Sequence, residues 1–123
     1  MTITAISQSN YIPWIGYFHL ISKADHFVLF DTVQYTRRDW RNRNNIIRND
    51  GSTSWLSIPV KNKNNYTALV RDMRVAEQNW RRKHFFTIKA NYAKTPYYHL
   101  YESTFENLCG HLLSSRKARH LTS

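Results

Sequence analysis

The sequence predicts an α/β fold in a single domain, with an N-terminal β-α-β unit followed by a β-hairpin and C-terminal helices. Two short apolar segments, residues 2–6 and 27–30, flank a segment whose apolar side chains recur at helical spacing. An Asp-Gly pair further along the chain separates two more apolar runs, which is typical of a hairpin. The chain has 123 residues, 41% of them hydrophobic, so it is long enough to bury one core.

The β-α-β unit follows from the pattern of the first 31 residues. Residues 2–6 alternate as a strand does, and Pro13 has the fixed φ that suits the first turn of a helix. On a helical wheel, residues 14–24 place their apolar side chains on one side, namely Trp14, Tyr17, Phe18, Leu20, Ile21 and Ala24. The continuous apolar run at 27–30 predicts a strand that is buried on both faces and ends at Asp31.

The middle of the chain predicts a hairpin and one further strand. Residues 45–48 and 55–60 flank a turn at 49–52, and Pro59 places the second of these strands at an edge. Residues 69–75 are predicted to add another strand.

The C-terminal part of the sequence predicts helices. Residues 77–93 place a set of mostly aromatic and aliphatic side chains on one face, namely Trp80, His84, Phe85, Ile88 and Tyr92. Thr95-Pro96 ends this helix, because the residue before a proline is disfavoured in helical conformation, and residues 97–113 predict a last helix. We therefore expect an α/β domain over residues 1–105 and a basic, partly disordered tail over 106–123.

The charge of the chain predicts an anionic partner. Eighteen Lys and Arg against eight Asp and Glu give a net charge of +10, which attracts nucleic acid, anionic lipid or phosphorylated small molecules. No segment approaches the roughly 18 consecutive apolar residues of a membrane span, and the first residues lack a signal-peptide pattern. The single cysteine, Cys109, fits a reducing compartment, so the expected location is the cytoplasm.

The sequence contains none of the motifs that mark several large enzyme classes. It has no glycine-rich phosphate loop, no GxSxG, no HExxH and no His/Cys cluster with metal-ligand spacing. The residues therefore indicate no metal site, and the cofactor, if any, is unknown.

The clearest candidate for a binding site is the edge of the sheet where the two predicted parallel strands end, because open α/β sheets bind ligands there. The polar residues delivered to it are Gln8, Asn10 and Tyr11 after the first strand, and Asp31, Gln34 and Tyr35 after the second. We expect a pocket for a polar, partly anionic ligand, in which Arg37, Arg38 or Arg43 supplies planar bidentate recognition, with Arg38 and Arg43 as the chosen candidates. In the alternative interpretation these arginines form a solvated loop and Asp31 only ends a strand.

The helix predicted at 77–93 supplies two further candidates. His84 faces inward beside Trp80, and histidine titrates near neutral pH, so His84 is a candidate general base together with the carboxylate Asp31. Arg81 projects toward the same side and is a candidate for substrate binding. The alternative is that His84 is a core histidine that is hydrogen-bonded to the backbone.

A second class of function is compatible with the loop at 35–45, in which Tyr and Trp are interleaved with Arg and Asn. Bases stack on aromatic rings while arginines follow phosphates, so this loop would also serve nucleic acid. No RRM, KH or helix-turn-helix signature accompanies it.

Five segments of the sequence occur in a characteristic order. They are QSNYIPWIGYF at 8–18, DTVQYTRRDWRNRN at 31–44, WLSIPV at 55–60, WRRKH at 80–84 and YAKTPYY at 92–98. Together they resemble the WbqC-like family of bacterial proteins over about residues 3–101. The chain departs from the family at Ser9, where a proline is common, and after Phe105, where further helices are expected, so it is similar to a truncated member.

The resemblance implies a role in the biosynthesis of O-antigen or other surface polysaccharides. It implies transfer of a glycyl, acyl or related group onto an amino sugar. The leading hypothesis is therefore an acyl or aminoacyl transferase whose partner is an anionic small molecule such as a nucleotide sugar. The alternative is a non-catalytic basic module that binds nucleic acid.

Overall fold

The computed structural model describes the backbone of residues 1–64 and 66–117, and the side chains of this part up to residue 109. Its elements in chain order are β1 (Thr4–Ser7), α1 (Ile15–Lys23), β2 (His26–Leu29), β3 (Arg43–Ile47), β4 (Thr53–Ser57), a 3-10 turn (Val70–Asp72), α2 (Trp80–Tyr92) and α3 (Tyr98–Lys117). The predicted fold class, mixed α/β with a β-α-β unit, a hairpin and C-terminal helices, is confirmed. The contacts divide the chain into two compact units, residues 1–45 with 55–77 and residues 46–54 with the chain from 78 onward.

The first unit contains the β-α-β arrangement. Strands β1 and β2 pair in parallel, with Ala5 opposite Phe27 in the register, and α1 connects them. Tyr17 of α1 is buried and its ring meets that of Phe27 edge to face at 5.6 Å. Its hydroxyl donates a hydrogen bond to the Gln8 carbonyl over 2.9 Å. Tyr17 therefore joins the helix both to the sheet and to the loop that leaves β1.

The apolar side of α1 is covered less than the sequence predicts. Tyr17 is the only residue of α1 that is buried, whereas Trp14, just before the helix, is 71% exposed and Phe18 is 56% exposed. The physical reason is the size of the sheet. Two paired strands of four residues each offer a face about as wide as one aromatic ring, since neighbouring strands lie only about 4.8 Å apart.

The hairpin of β3 and β4 forms around the predicted Asp-Gly turn. Gly51 has φ +83°, a conformation that glycine adopts without a steric penalty. The Arg48 and Ser52 backbones close the turn with an N–H···O bond of 2.7 Å, and the Asp50 carboxylate accepts from the Ser52 N–H and hydroxyl. These hydrogen bonds, the Ser52 hydroxyl first, lower the pKa of Asp50.

The prediction of a strand at 69–75 is wrong. This segment contains the 3-10 turn and two isolated bridges, Gln34–Leu69 and Val60–Val75. The backbone hydrogen bonds explain the difference, because the consecutive N–H groups of Val70 and Arg71 both donate to the segment at 31–33. In a strand, consecutive N–H groups point to opposite sides and cannot do this.

The second unit contains both long helices. Helix α2 lies within the predicted range 77–93, and Lys89 forms an ion pair with Glu102 of α3 over 2.6 Å. The Tyr92 hydroxyl accepts from the Ile47 N–H at 2.9 Å. Helix α3 continues to Lys117, while residues 118–123 of the predicted basic tail lie outside the described residues, so the boundary at 105 stays a prediction. Within the described part of the chain, no helix has the length and apolar character needed to cross a membrane.

The hydroxyl of Tyr17 provides a test of the β-α-β packing. We expect Tyr17→Phe to lower the free energy of unfolding by about 1 kcal/mol, because the Gln8 carbonyl loses its donor while the ring contacts remain. Tyr66→Phe is the matched control, since Tyr66 is 64% exposed. Urea denaturation of the three proteins measures the effect. Equal losses in the two variants would show that the hydroxyl does not hold the loop.

Candidate functional site

The structure brings together the two segments that follow the parallel strands. Ser9 donates from its backbone N–H to one oxygen of Asp31 at 2.8 Å and from its hydroxyl to the other. Gln8 and Asn10 flank Ser9, so they lie beside the Asp31 segment, as expected for the carboxyl edge of a parallel sheet. Asp31 itself has both carboxylate oxygens engaged by Ser9.

A cavity of about 300 Å³ lies at this edge. We name it the amide pocket, and it is lined by Ile6, Ser7, Gln8, Asn10, Phe30 and Arg41. Two of the sequence candidates, Gln8 and Asn10, line it. Phe30 and Arg41 also line it but were not among the candidates. The pocket therefore combines two amides and a guanidinium within the first unit.

The amides of this pocket have unused hydrogen-bonding capacity. Gln8 Oε1 and Asn10 Oδ1 are buried and accept no hydrogen bond from the described part of the chain. Leaving a buried acceptor unsatisfied costs about 1–3 kcal/mol, so each of these oxygens needs a donor from water or from a ligand. The terminal torsions of Asn and Gln are broad, and a rotation turns either oxygen toward the pocket. These two side chains are suited to accept hydrogen bonds from a ligand.

Arg41 is held at the pocket by Asp39. Its Nη1 lies 3.2 Å from Asp39 Oδ2, and both side chains are mostly covered. Asp39 also accepts from the Thr36 hydroxyl at 2.6 Å and from the Trp40 N–H at 2.7 Å. The Thr36 hydrogen bond is the largest of the effects that lower the pKa of Asp39, followed among the favourable ones by the Trp40 N–H and the charge of Arg41. The carboxylate is therefore ionised at neutral pH and orients Arg41.

A second cavity, of about 290 Å³, shares Asn10 with the amide pocket. We name it the tryptophan cleft, and its lining is Asn10, Pro13, Trp14, Trp40 and Asn44. Trp14 is 71% exposed and Trp40 is 49% exposed, so both indoles present open surface to the cleft. One cavity is thus polar and the other aromatic, and Asn10 lies between them.

The turn between Asn10 and Pro13 of the cleft has a strained backbone and is held by hydrogen bonds. Ile12 has φ +46°, which is a genuine outlier for a β-branched residue. Asn44 Nδ2 donates to the Ile12 carbonyl at 2.6 Å and to the Tyr11 carbonyl at 3.2 Å, and the Tyr11 N–H donates to the Trp40 carbonyl at 3.0 Å. Tyr11 therefore takes part in the site through its backbone. Local strain of this kind clusters at binding sites.

The arginines predicted to bind an anion differ in their surroundings. The Arg43 guanidinium lies 3.9 Å from the centre of the Trp55 ring, and Trp55 in turn contacts Trp40 with ring centres 5.6 Å apart. Arg43 Nη2 also donates to the Arg38 carbonyl at 2.6 Å. Arg43 thus packs on the tryptophan that contacts Trp40, while the side chain of Arg38 is exposed.

Gln34 and Tyr35 are not among the residues that line the two cavities. Tyr35 is buried, its hydroxyl donates to Asn42 Oδ1 at 2.9 Å, and burial raises its pKa. Gln34 Nε2 donates to the Tyr66 carbonyl at 2.8 Å. Through these hydrogen bonds, both residues hold the loop that contains Trp40 and Arg41 in place.

The two candidates from α2 belong to the second unit. His84 is buried, and its ring meets that of Trp80 edge to face at 5.2 Å. The Arg81 guanidinium lies 5.2 Å from the same Trp80 ring. These contacts fit a packed histidine as well as a positioned one, so the catalytic role of His84 stays a prediction. Among the described residues no group of three or more His, Cys, Asp or Glu is arranged to hold a metal ion.

The lining residues that the sequence did not indicate as site residues include Trp14, Trp40 and Arg41. Trp14 was placed on the buried side of α1, and only the shortness of the sheet shows that it is exposed. Trp40 and Arg41 lie in the basic aromatic loop at 35–45. An aromatic residue among polar neighbours is not part of a hydrophobic core, and in the sequence this is the signal that indicates a binding surface.

The site and fold together define an α/β protein with a polar, arginine-lined pocket at the ends of two parallel strands. The sequence model of the WbqC-like protein family matches residues 8–119. The chain belongs to this family, which confirms the resemblance seen in its five segments.

A curated relative has also been found in Mycobacterium tuberculosis. The chain is 40% identical over 98 residues to this protein, described as uncharacterized protein Rv1507c. The match covers 80% of the chain and 42% of the relative, so the chain spans less than half of the relative's length. No solved structure matches the chain.

The clamp formed by Asn44 is testable with an isosteric change. Asn44→Asp keeps the oxygen that accepts from the Asn45 N–H and removes both donors to the Tyr11 and Ile12 carbonyls. We expect a loss of about 1–3 kcal/mol in the free energy of unfolding, measured by urea denaturation. Asn45→Asp on the exposed neighbour is the control. If both variants lose the same small amount, the strained turn does not depend on Asn44.

Proposed function

We propose that this chain binds the anionic substrate of a transferase in O-antigen or surface-polysaccharide biosynthesis, acting on a nucleotide-activated amino sugar or its acyl donor. The observation that carries the proposal is the amide pocket. It combines two buried oxygens that lack donors with a guanidinium at the end of a parallel sheet. Membership of the WbqC-like family supports the choice of substrate class.

Arg41 is proposed to bind the diphosphate of the substrate. A guanidinium has five N–H donors in a planar fork, and the ion pair with Asp39 uses Nη1. The remaining donors match the geometry of phosphate oxygens. Arg38 is proposed as a second, outer contact, because its side chain is exposed on the same loop.

Gln8 and Asn10 are proposed to bind amine or hydroxyl groups of the substrate. An amine is a nucleophile only when it is neutral, and the nearby positive charge of Arg41 disfavours its protonated form. In the proposed transfer, the amine nitrogen forms a bond to the acyl carbon, the leaving group departs from that carbon, and the amine proton passes to a base. The amide oxygens would orient the amine for this step.

His84 and Asp31 remain the proposed catalytic residues, and Tyr11, Gln34, Tyr35, Arg43 and Arg81 remain proposed substrate contacts. Asp31 accepts one hydrogen bond from Ser9 on each oxygen and keeps further lone pairs, so its carboxylate can still accept a proton. The chain spans 42% of its curated relative, so the activity of a whole protein is part of the proposal.

Binding of a nucleotide sugar is the decisive measurement. We expect a uridine diphosphate amino sugar at 100 times its dissociation constant to stabilise the chain by about 2.7 kcal/mol, seen as a rise in melting temperature. Arg41→Gln should abolish most of this rise and Arg38→Gln should reduce it. Arg74→Gln, the same charge change at another exposed arginine of the first unit, should leave it unchanged.

The alternative function predicts a different response. The net charge of +10 supports a nucleic-acid module, which should bind oligonucleotides with an affinity that falls steeply with salt, by a log-log slope of about −0.9 per phosphate contact on duplex DNA. Oligonucleotide binding of that kind, without stabilisation by any nucleotide sugar, would contradict the transferase proposal.

The role of His84 is tested by His84→Gln. A catalytic base predicts a folded variant whose turnover of acyl donor and amino sugar falls by about 10²–10⁴-fold. A packing role predicts a lower melting temperature, because a buried hydrogen bond is disturbed. A large loss of stability with normal turnover per folded molecule would refute the catalytic assignment.

A further inference from the structure

We propose that the tryptophan cleft binds the pyranose ring of the sugar against the indoles of Trp14 and Trp40, and that Gly16 is the residue that allows Trp14 to lie there. The inference deepens the proposed function and rests on it for the identity of the ligand as a sugar. It assigns separate places to the two halves of a nucleotide sugar, with the phosphates beside Arg41 and the sugar ring in the cleft.

The walls of the cleft fit the face of a sugar ring. The face of an indole carries partial negative charge, and the C–H groups on one face of a pyranose carry partial positive charge, so the two surfaces attract. Both indoles are large apolar surfaces left open to solvent, at 71% and 49% exposure. A cavity of about 290 Å³ is at the lower end of the range for ligand pockets, as suits one ring.

The polar groups of the cleft suit the hydroxyls of a sugar. Asn10 offers an oxygen without a donor, whereas Asn44 already donates from Nδ2 to two carbonyls. A hydroxyl can rotate to donate to a lone acceptor. A free side-chain amide also pairs with the edge of a base, so a nucleobase is the competing occupant that the test must distinguish.

The cleft is also preorganised. Trp40 contacts Trp55, and the Arg43 guanidinium lies over the Trp55 ring. The backbone of Trp40 is fixed at both ends, since its N–H donates to Asp39 and its carbonyl accepts from Tyr11. A wall held in this way loses little freedom when a ligand binds.

Gly16 determines the position of the other wall. A Cβ placed on Gly16 would lie 1.9 Å from Cη2 of Trp14 and 2.0 Å from Cζ3, so the indole lies directly on the glycine backbone. Alanine at this position would force the ring to move, although alanine itself favours the helix. Gly16 is therefore a positioning residue that acts through Trp14.

The test uses methyl glycosides of glucosamine and galactosamine, free uridine monophosphate and the corresponding uridine diphosphate amino sugars. Binding to the 123-residue chain is measured by calorimetry and indole fluorescence. We expect Trp14→Ala and Trp40→Ala to weaken binding of the glycosides and of the nucleotide sugars at least tenfold. Phe86→Ala removes an exposed aromatic ring from α2 and should change neither affinity.

The position of Trp14 is tested by a double-mutant cycle. Gly16→Ala alone should weaken glycoside binding several-fold, while in the Trp14→Ala background the same change should have no further effect on binding and should raise the melting temperature. A loss of binding in both backgrounds would show that Gly16 does not act through Trp14. Melting temperatures of all variants confirm that each is folded.

The outcomes separate this inference from the proposed function. If nucleotide sugars bind and Arg41→Gln weakens them but the tryptophan variants do not, the cleft inference fails and the proposed function stands. If the glycosides bind through the tryptophans while Arg41→Gln has no effect on nucleotide sugars, the cleft inference stands and the proposed role of the amide pocket fails. Uridine monophosphate binding that depends on Trp14 and Trp40 would replace the sugar with a base, and binding of none of the probes would overturn both proposals.

Discussion

The hydrogen bonds from Ser9 to the Asp31 carboxylate join the two segments that follow the parallel strands of the first unit. Strands of four residues pair over too short a distance to fix the loops beyond them, so the path of those loops depends on contacts of this kind. With Ser9 held, Gln8 is fixed from the other side by the Tyr17 hydroxyl. Asn10 then lies where the two cavities meet. A carboxylate considered for catalysis thus has a clear structural role in shaping the site.

Sequence periodicity predicted most of the helices and strands because local backbone and side-chain preferences determine where these elements form. The alternation of β1, the helical spacing of α1 and the glycine at a positive φ in the hairpin turn are all local properties. The segment at 69–75 was predicted wrongly because its backbone bonds to residues more than 30 positions away. A local pattern contains no information about such partners.

The candidate site was predictable only in part, for a related reason. The rule that ligands bind at the carboxyl edge of parallel strands identified Gln8 and Asn10. It could not show which arginine of the following loop lines the pocket, because a loop has no periodicity. The ion pair with Asp39 holds Arg41 at the pocket, while Arg43 stacks on the Trp55 ring. Both arginines contribute equally to the net charge of +10, although one lines a pocket and the other stacks on a tryptophan.

The position of Asp39 has a consequence for cooperativity. One carboxylate holds the guanidinium that lines the amide pocket and also the backbone N–H of the residue that forms a wall of the tryptophan cleft. An anion that draws Arg41 away from Asp39 changes the charge environment of the group that anchors Trp40. Under the proposed function, Asp39 would then couple the two cavities, and thermodynamic linkage would make any such effect equal in both directions. The same small unit would hold the two parts of one ligand and the carboxylate that connects their places.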